Sequence, residues 1–231
     1  IEQQCDSILL LNQDAYFKAK DALELYDLLQ KNKGYGVLAP LHLRGDQKDF
    51  DYYFSGYITP KQCKLLFDLL FGGDLQTIYP VPFVNAAIWM IRVEVVKKVG
   101  VFDPMFDHYG EDVDWINRLH FFRYKVGVCP QIAGIHDRPQ ERFSTRRTSL
   151  IKAVSKAYVG ELVKLKNINK PFSSQFMTVH VNLIKTIVMN TLKLNRKSLV
   201  YLIVLVRLLY NFRRIYNNRE ICKIKKDYRF L

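Results

Sequence analysis

The sequence predicts an α/β domain followed by a helical and strongly basic extension. Along residues 1–140, short apolar runs alternate with segments whose apolar residues recur at helical spacing. Those residues carry 15 Lys and Arg against 18 Asp and Glu, a net charge of −3, whereas residues 141–231 carry 20 against 4, a net charge of +16. Hydrophobic residues make up 49% of the chain, which excludes general disorder. We therefore expect two domains, 1–140 and 141–231.

The first elements in the chain predict a parallel sheet. Ser7–Leu11 is a continuous apolar run, typical of a central strand buried on both faces, and the turn cluster 12–14 ends it. From Ala15, apolar residues recur at helical spacing until a basic turn and Gly34. Residues 36–41 form the next apolar run. The order strand, helix, strand is the unit from which parallel sheets are built.

The rest of the first domain is assigned by the same rules. Aromatic residues favour a strand over 50–58, and Pro60 at a first helical position predicts a helix over 60–71. The remaining expected elements are a buried strand at 84–91, helices at 93–98 and from residue 110, and strands at 125–129 and 132–136.

The basic extension predicts three helices, roughly at 147–166, 172–194 and 198–216. The last contains the apolar run Leu199–Val206, far shorter than the roughly 20 apolar residues that span a bilayer. Two interpretations stay open. The helix lies in a membrane interface with its basic flanks on anionic lipid, or it packs in a helical core with a solvated basic face.

The cysteines and the N-terminus indicate the compartment in which the protein works. The four cysteines lie far apart with no C-x-x-C pair, which excludes a zinc ribbon and a dense disulfide framework and fits a reducing compartment. No signal peptide is visible. The chain starts with Ile1 rather than Met, and we interpret this start as a cut in a longer protein.

Asp14 is the first residue that could carry chemistry. It follows the end of a predicted strand, where open α/β sheets bind ligands. A carboxylate there can hold Mg²⁺ or Mn²⁺ against a diphosphate. On position alone, an N-cap of the following helix is the simpler interpretation.

A cluster of carboxylates at a predicted helix start and one histidine are the other candidates. Glu111, Asp112 and Asp114 could supply a general base, since neighbouring carboxylates raise one another's pKa, or they could only complement the helix dipole. His136 ends a predicted strand and is either a metal ligand or a structural residue partnered by Asp137. No P-loop, G-x-S-x-G, H-E-x-x-H or G-x-G-x-x-G motif is present.

Four segments, in order, resemble glycosyltransferase family 2, especially its rhamnosyltransferase-like branch that builds bacterial surface polysaccharides. Leu10–Asp14 is similar to an L-L-N-P-D motif and Val84–Arg92 to a G-A-A-x-x-[IL]-R-R strand. Val99–Arg118 closely matches V-G-x-F-D-x-x-F-x-x-Y-G-E-D-x-D-x-x-x-R, the most specific of the four. Residues 123–136 resemble the motif G-Y-x-[IV]-x-x-x-P-x-x-x-[IV]-x-H, with Tyr124, Val126, Pro130 and a final Ile135-His136. Together they cover about residues 7–137.

The resemblance implies a GT-A fold, a Rossmann-like and mostly parallel mixed sheet, and transfer of a sugar with inversion from a nucleotide diphosphate to an acceptor hydroxyl. By position it implies that Asp112 is the general base, that Glu111 supports it, and that Asp14 and His136 bind Mg²⁺ or Mn²⁺. It further implies donor or acceptor contacts at Asn12, Asn85, Ala86, Gly110, Asp114 and Arg118.

The chain departs from the family pattern at its start. The family's opening strand and the acidic residue that holds the nucleotide base have no counterpart after Ile1, so residues 1–140 match the C-terminal part of a GT-A domain that is incomplete at its N-terminus. Gln13 replaces the usual Pro, and Asn85 stands where a Gly is common.

The expected partners follow from the resemblance and the basic extension. They are a nucleotide-sugar donor, a glycan or polyprenyl-linked acceptor, and an anionic membrane surface, with the protein peripheral on the cytoplasmic, inner face of the plasma membrane. No nucleic acid is expected, because no recognition motif is present. The alternative is an inactive, truncated glycosyltransferase-like protein that serves as a membrane-surface or protein-binding scaffold.

Overall fold

The computed structural model describes residues 5–107, 109–138 and 149–224. They form two compact units, the first of residues 5–100 and 122–138 and the second of residues 101–107, 109–121 and 149–224. Residues 101–107 and 109–121, expected in the first domain, thus group with the helical extension. The predicted boundary at residue 140 lies outside the described residues.

The first unit is a mixed six-stranded sheet with helices, which confirms the α/β class. Its strands are β1 (Ser7–Leu11), β2 (Ala15–Tyr16), β3 (Tyr35–Leu43), β4 (Tyr79–Val81), β5 (Ile88–Arg92) and β6 (Lys125–His136). Its helices, among the described residues, are α1 (Ala19–Lys31), α2 (Tyr52–Tyr57), α3 (Leu65–Phe71) and α4 (Val93–Val99).

The strand order is β1-β5-β3-β6-β2, with β4 paired to β6. β3 and β6 are parallel, and β5 is antiparallel to both β1 and β3. Consequently β1, β3 and β6 run in the same direction, and their carboxyl ends meet at one edge of the sheet. The prediction of a mostly parallel sheet is wrong for the described strands, because β2, β4 and β5 run in the opposite direction and only the pairing of β3 with β6 is parallel. The core on one side is formed by α1, whose Leu25 and Leu29 pack on Leu38 and Met90 of the sheet.

The prediction that β1 is a central strand is wrong. β1 ends the strand order and pairs with β5, and Leu9 and Leu11 are 39% and 43% exposed. An apolar run fits an edge strand as well as a central one, because strand pairing depends on residues far away in the chain.

Several predicted boundaries also change. α1 begins at Ala19 rather than Ala15, because residues 15–16 pair with β6. The predicted strand over 50–58 is instead helix α2, because Asp51 accepts hydrogen bonds from the Tyr53 and Phe54 N–H groups, both at 3.0 Å, and caps a helix there. The helix expected from Pro60 begins only at Leu65, after a turn. The two strands expected over 125–136 form the single, irregular strand β6.

The second unit is helical in its described part. It contains α5 (Glu111–Phe121), α6 (Leu150–Lys166), α7 (Phe172–Leu192), α8 (Lys197–Tyr210) and α9 (Phe212–Cys222). The third predicted helix is divided at Asn211 into α8 and α9. Helices α6 to α9 share one apolar core, which includes Leu162, Leu183, Val204 and Ile215. None of the described helices is both long and apolar enough to cross a bilayer.

Candidate functional site

The carboxyl ends of β1, β3 and β6 gather polar side chains at one edge of the sheet. Asp14 follows β1, His42 lies one residue before the end of β3, and His136 is the last residue of β6. Asp51 lies beyond the end of β3, and its backbone N–H donates to the His42 carbonyl at 2.8 Å. This edge is the place where open α/β sheets bind ligands.

The two predicted metal ligands come together through the short ladder between β2 and β6. Ala15 pairs with His136, and the backbone N–H of Asp137 donates to the Asp14 carbonyl at 2.8 Å. The Asp14 Oδ1 and His136 Nε2 atoms are therefore only 3.4 Å apart. Asp14 does not cap α1, whose N-cap is Lys18. The helix-cap interpretation of Asp14 is thus wrong.

His136 is held from its other side by Asp51, which the sequence analysis missed. Asp51 Oδ2 lies 3.3 Å from His136 Nδ1 and 3.0 Å from Arg138 Nε, while its Oδ1 caps α2. The guanidinium of Arg138 lies 4.9 Å from the centre of the Tyr53 ring, and its Nη2 is 3.0 Å from His136 Nδ1. The imidazole of His136 therefore lies between two carboxylates beside an arginine.

This environment changes the acidity of Asp51. Burial alone would raise the pKa of Asp51. The hydrogen bonds from His136 and the Phe54 N–H, together with the charge of Arg138, outweigh burial and lower the pKa below its usual value. Asp51 therefore stays ionised at neutral pH and holds His136 and Arg138 in place.

His42 forms a neutral support next to this cluster. It is fully buried, its Nδ1 is 3.1 Å from Asn85 Oδ1, and its ring centre is 6.2 Å from that of His136. Burial, and then the proximity of His136, lower the pKa of His42 to about 4. The imidazole is neutral at physiological pH and fixes the side chain of Asn85.

The predicted binding residues Asn12, Asn85 and Ala86 lie at the same edge. β1 and β5 are antiparallel with Leu11 opposite Ile88, so the end of β1 is next to the segment that enters β5. The backbone N–H of Asn12 donates to the Ala87 carbonyl at 2.9 Å. The sheet pairing thus brings these three residues to the edge that carries Asp14 and His136.

The donor atoms of Asp14 and His136 are suitable for a divalent cation. Within residues 5–107, 109–138 and 149–224, no group of three or more His, Cys, Asp or Glu side chains has the arrangement of a metal centre. Asp14 is about one-third exposed and offers oxygen, and the buried His136 offers nitrogen. Mn²⁺ accepts both kinds of ligand, and a cation held by two protein ligands keeps positions for substrate oxygens.

The other predicted site residues belong to the second unit, where two of them form a closed ion pair. Arg118 Nε lies 2.8 Å from Asp114 Oδ2, and its Nη2 donates to the Val101 carbonyl at 2.9 Å. Both side chains are fully buried. Burial raises the pKa of Asp114, although the charges of Arg118 and Lys166 oppose that shift. The pair links the first turn of α5 to its last turn and to the Val101 carbonyl.

Gly110 and the first-turn carboxylates define the beginning of α5. Gly110 has φ of +87°, and a Cβ there would lie 2.8 Å from Val159 and 2.9 Å from Val163 of α6, so only glycine fits. Asp112 is half-buried, and its Oδ1 accepts from the Val113 N–H at 2.7 Å. Oε2 of Glu111 is buried and finds no hydrogen-bond partner among the described residues. The first turn of α5 therefore presents two carboxylates outside the Asp114 ion pair.

Sequence reasoning missed Asp51, Arg138 and His42, and two of them left a signal. Asp51 immediately precedes α2, and Asp is one of the residues preferred at that N-cap position. Arg138 lies two residues after His136, and in extended chain such residues share one side. His42 has no neighbouring motif, and only the fold brings it to Asn85.

Comparison with known proteins adds one relative. No protein-family model matches the chain. A Haloferax volcanii protein named low-salt glycan biosynthesis hexosyltransferase Agl10 is 25% identical over 142 residues, which are 61% of this chain and 46% of that protein. The chain therefore matches less than half the length of that relative. This chain is similar, over most of its own length, to a hexosyltransferase named for glycan biosynthesis.

Proposed function

We propose that this protein is an inverting glycosyltransferase of family 2 with a GT-A fold. It moves a sugar from a nucleotide-diphosphate donor to a hydroxyl of a glycan or lipid-linked saccharide in cell-surface polysaccharide biosynthesis. The observation that carries the proposal is the Asp14–His136 pair at the carboxyl edge of the sheet. The similarity to a hexosyltransferase supports the same reaction class.

The sheet edge would bind the donor diphosphate. Asp14 and His136 would hold Mg²⁺ or Mn²⁺, which when bound neutralises the negative charge of the leaving diphosphate. Asp51 holds the His136 ring in a fixed orientation. Arg138 is one-third exposed and can donate to diphosphate oxygens. Asn12, Asn85 and Ala86 would contact the sugar or its acceptor.

The first turn of α5 would activate the acceptor. Asp112 removes the proton of the acceptor hydroxyl while the oxygen attacks the anomeric carbon on the face opposite the diphosphate, which inverts that carbon. Glu111 supports this base or binds acceptor hydroxyls. Because Asp114 and Arg118 are buried, we propose that they and Gly110 act by holding the helix start in position.

Two single variants separate the proposed roles. Titration of the protein with UDP, GDP or dTDP, with and without Mn²⁺, should reveal binding that depends on the metal, and Asp14→Ala should weaken it at least about tenfold. Asp112→Asn should leave this binding nearly unchanged and lower transfer from the matching nucleotide sugar about 10²- to 10⁴-fold. The exposed Asp74→Asn serves as a control. If Asp112→Asn turns over at the parent rate, the base assignment is wrong.

A second candidate function is a scaffold at the membrane surface without transferase activity. The exposed apolar side chains of α7 and α8 favour it. Both candidates would act on the inner face of the plasma membrane, next to anionic lipid. Metal-dependent nucleotide binding distinguishes them, because the scaffold has no need of it.

A further inference from the structure

Two helices of the second unit carry apolar side chains on sides that face away from their shared core. On α7 these are Met177, Val181, Ile184, Val188 and Leu192, all more than one-third exposed. On α8 they are Leu199, Leu202, Val206 and Leu209, each about half exposed. We refer to these two sets as the outer stripes.

The residues of each outer stripe lie along one side of their helix and are not scattered over its surface. Successive members are three or four residues apart, which places each set along one side of its helix. The core sides of the same helices are occupied by other residues, Val179 and Leu183 on α7 and Val204 and Leu208 on α8. Each helix is therefore apolar on two sides, and only one side is used by the core.

The charges around the outer stripes all have the same sign. No Asp or Glu occurs from residue 162 to residue 219. Lys193, Arg196 and Lys197 lie in and beside the connection from α7 to α8, and Arg213 and Arg214 follow the end of α8. These five side chains are exposed. Basic groups thus flank both ends of the α8 stripe.

We propose that the outer stripes lie on the surface of an anionic lipid bilayer. A bilayer combines an apolar interior with an anionic headgroup layer, which complements apolar stripes that end in basic residues. Tyr210 is almost fully exposed at the end of the α8 stripe, a suitable position for a headgroup contact. No described helix could span the membrane, so this contact is interfacial. The inference does not depend on glycosyl transfer.

Vesicle binding by the full chain tests the proposal. The protein should sediment with phosphatidylcholine vesicles that contain phosphatidylglycerol and should bind pure phosphatidylcholine at least about tenfold more weakly. The variant with Ile184, Val188, Leu202 and Val206 all changed to Gln should lose about tenfold or more of the binding to anionic vesicles. Replacing Lys193, Arg196 and Lys197 by Gln should cause a similar loss.

Control variants change exposed residues of the first unit, and the two leucines among them are more exposed than the four outer-stripe residues that are changed to Gln. Leu23→Gln with Leu70→Gln removes exposed apolar side chains, and Lys18, Lys31 and Lys33 to Gln removes three exposed charges. Both variants should bind anionic vesicles as the parent does. Equal losses in these controls and in the stripe variants would overturn the proposal.

A fluorescent probe reports contact without loss of an apolar residue. Trp89 and Trp115 are buried, so Leu202→Trp adds an indole at the outer stripe that can be distinguished from them. Lipids brominated in the acyl chain should quench the added fluorescence in anionic vesicles. Absence of quenching would contradict the proposal. So would a concentration-dependent dimer that is lost in the four-residue stripe variant without any vesicle binding, because the stripes would then join two copies.

Discussion

Each unit contains a cluster of four charged or titratable side chains, and the two clusters differ in their exposure to solvent. We call the cluster of the second unit the closed cluster and that of the first unit the open cluster. In the second unit, Asp103, Asp114, Arg118 and Lys166 are all at most 1% exposed and form the ion pairs Lys166–Asp103 at 2.7 Å and Arg118–Asp114 at 2.8 Å. At the sheet edge of the first unit, His136 and Asp51 are buried, but Asp14 and Arg138 are each about one-third exposed.

The two clusters thus separate charged residues that are closed off from solvent from those that a ligand can reach. The closed cluster has two acidic and two basic side chains and almost no access to solvent, so its groups pair with one another rather than with a ligand. The open cluster leaves a carboxylate and a guanidinium accessible to a ligand, which is typical of functional sites. The most specific segment of the family resemblance contains Asp103, Asp114 and Arg118, and these contribute to the closed cluster.

Removal of one member of the closed cluster should have the largest effect on stability. Arg118→Met leaves the Asp114 carboxylate buried without its partner and should lower the free energy of unfolding by about 3–5 kcal/mol. Urea unfolding followed by circular dichroism measures this change. Arg138→Met, at the open cluster, is the comparison variant and should cost only about 1 kcal/mol, because the buried Asp51 keeps its contacts with His136 and the Phe54 N–H. Equal costs would show that the two clusters do not differ in the proposed way.

The elements that the sequence predicted well depend on local signals. α4 and α5 have helical apolar spacing. α4 begins at the expected residue, α5 begins one residue later than expected, and β1 has the expected bounds. Helix α2 was predicted as a strand because its aromatic residues favour β structure, whereas one side chain, Asp51, decides for a helix by capping it. A prediction from the β preference of the residues is wrong where a single N-cap side chain stabilises a helix instead.

The candidate site was predictable only in part, for a similar reason. Asp14 and His136 were named because they occupy motif positions, but their contact depends on a two-residue ladder that has no sequence signature of its own. Asp51 lies in none of the four motif segments, and His42 meets Asn85 only through the pairing of β3 with β5. Contacts between distant strands are set by the whole sheet and cannot be derived from short segments.

The pH dependence of the unfolding free energy tests the environment of His42, which lies next to the open cluster. The pKa of His42 falls from 6.5 to about 4 in the folded protein, because burial disfavours its charged form. Between these values the unfolded chain binds a proton that the folded chain does not, so stability decreases as pH falls from about 6.5 to about 4, by at most about 3 kcal/mol. His42→Gln should remove this component of the pH dependence, measured by urea unfolding at several pH values. An unchanged slope would show that His42 protonates equally easily in both states.

The backbone conformation at Gly110, just before α5, can be tested in the same way. Gly110→Ala forces an alanine into a left-handed conformation and against Val159 and Val163, which should cost about 2 kcal/mol of unfolding free energy. Gly160→Ala on the exposed side of α6 meets no atom within 4 Å and should instead stabilise the helix by about 0.5–1 kcal/mol. Thermal unfolding shows whether each variant is less or more stable than the parent protein.

Opposite signs would mean that Gly110 is retained for its backbone conformation and the close approach of α6. Its place in the family motif would then reflect positioning of the carboxylates of Glu111 and Asp112 rather than a substrate contact. If Gly110→Ala were as stable as the parent but weakened nucleotide or acceptor binding, the glycine would instead belong to the binding surface. It would then be grouped with Glu111 and Asp112 rather than with the buried residues Asp103, Asp114 and Arg118.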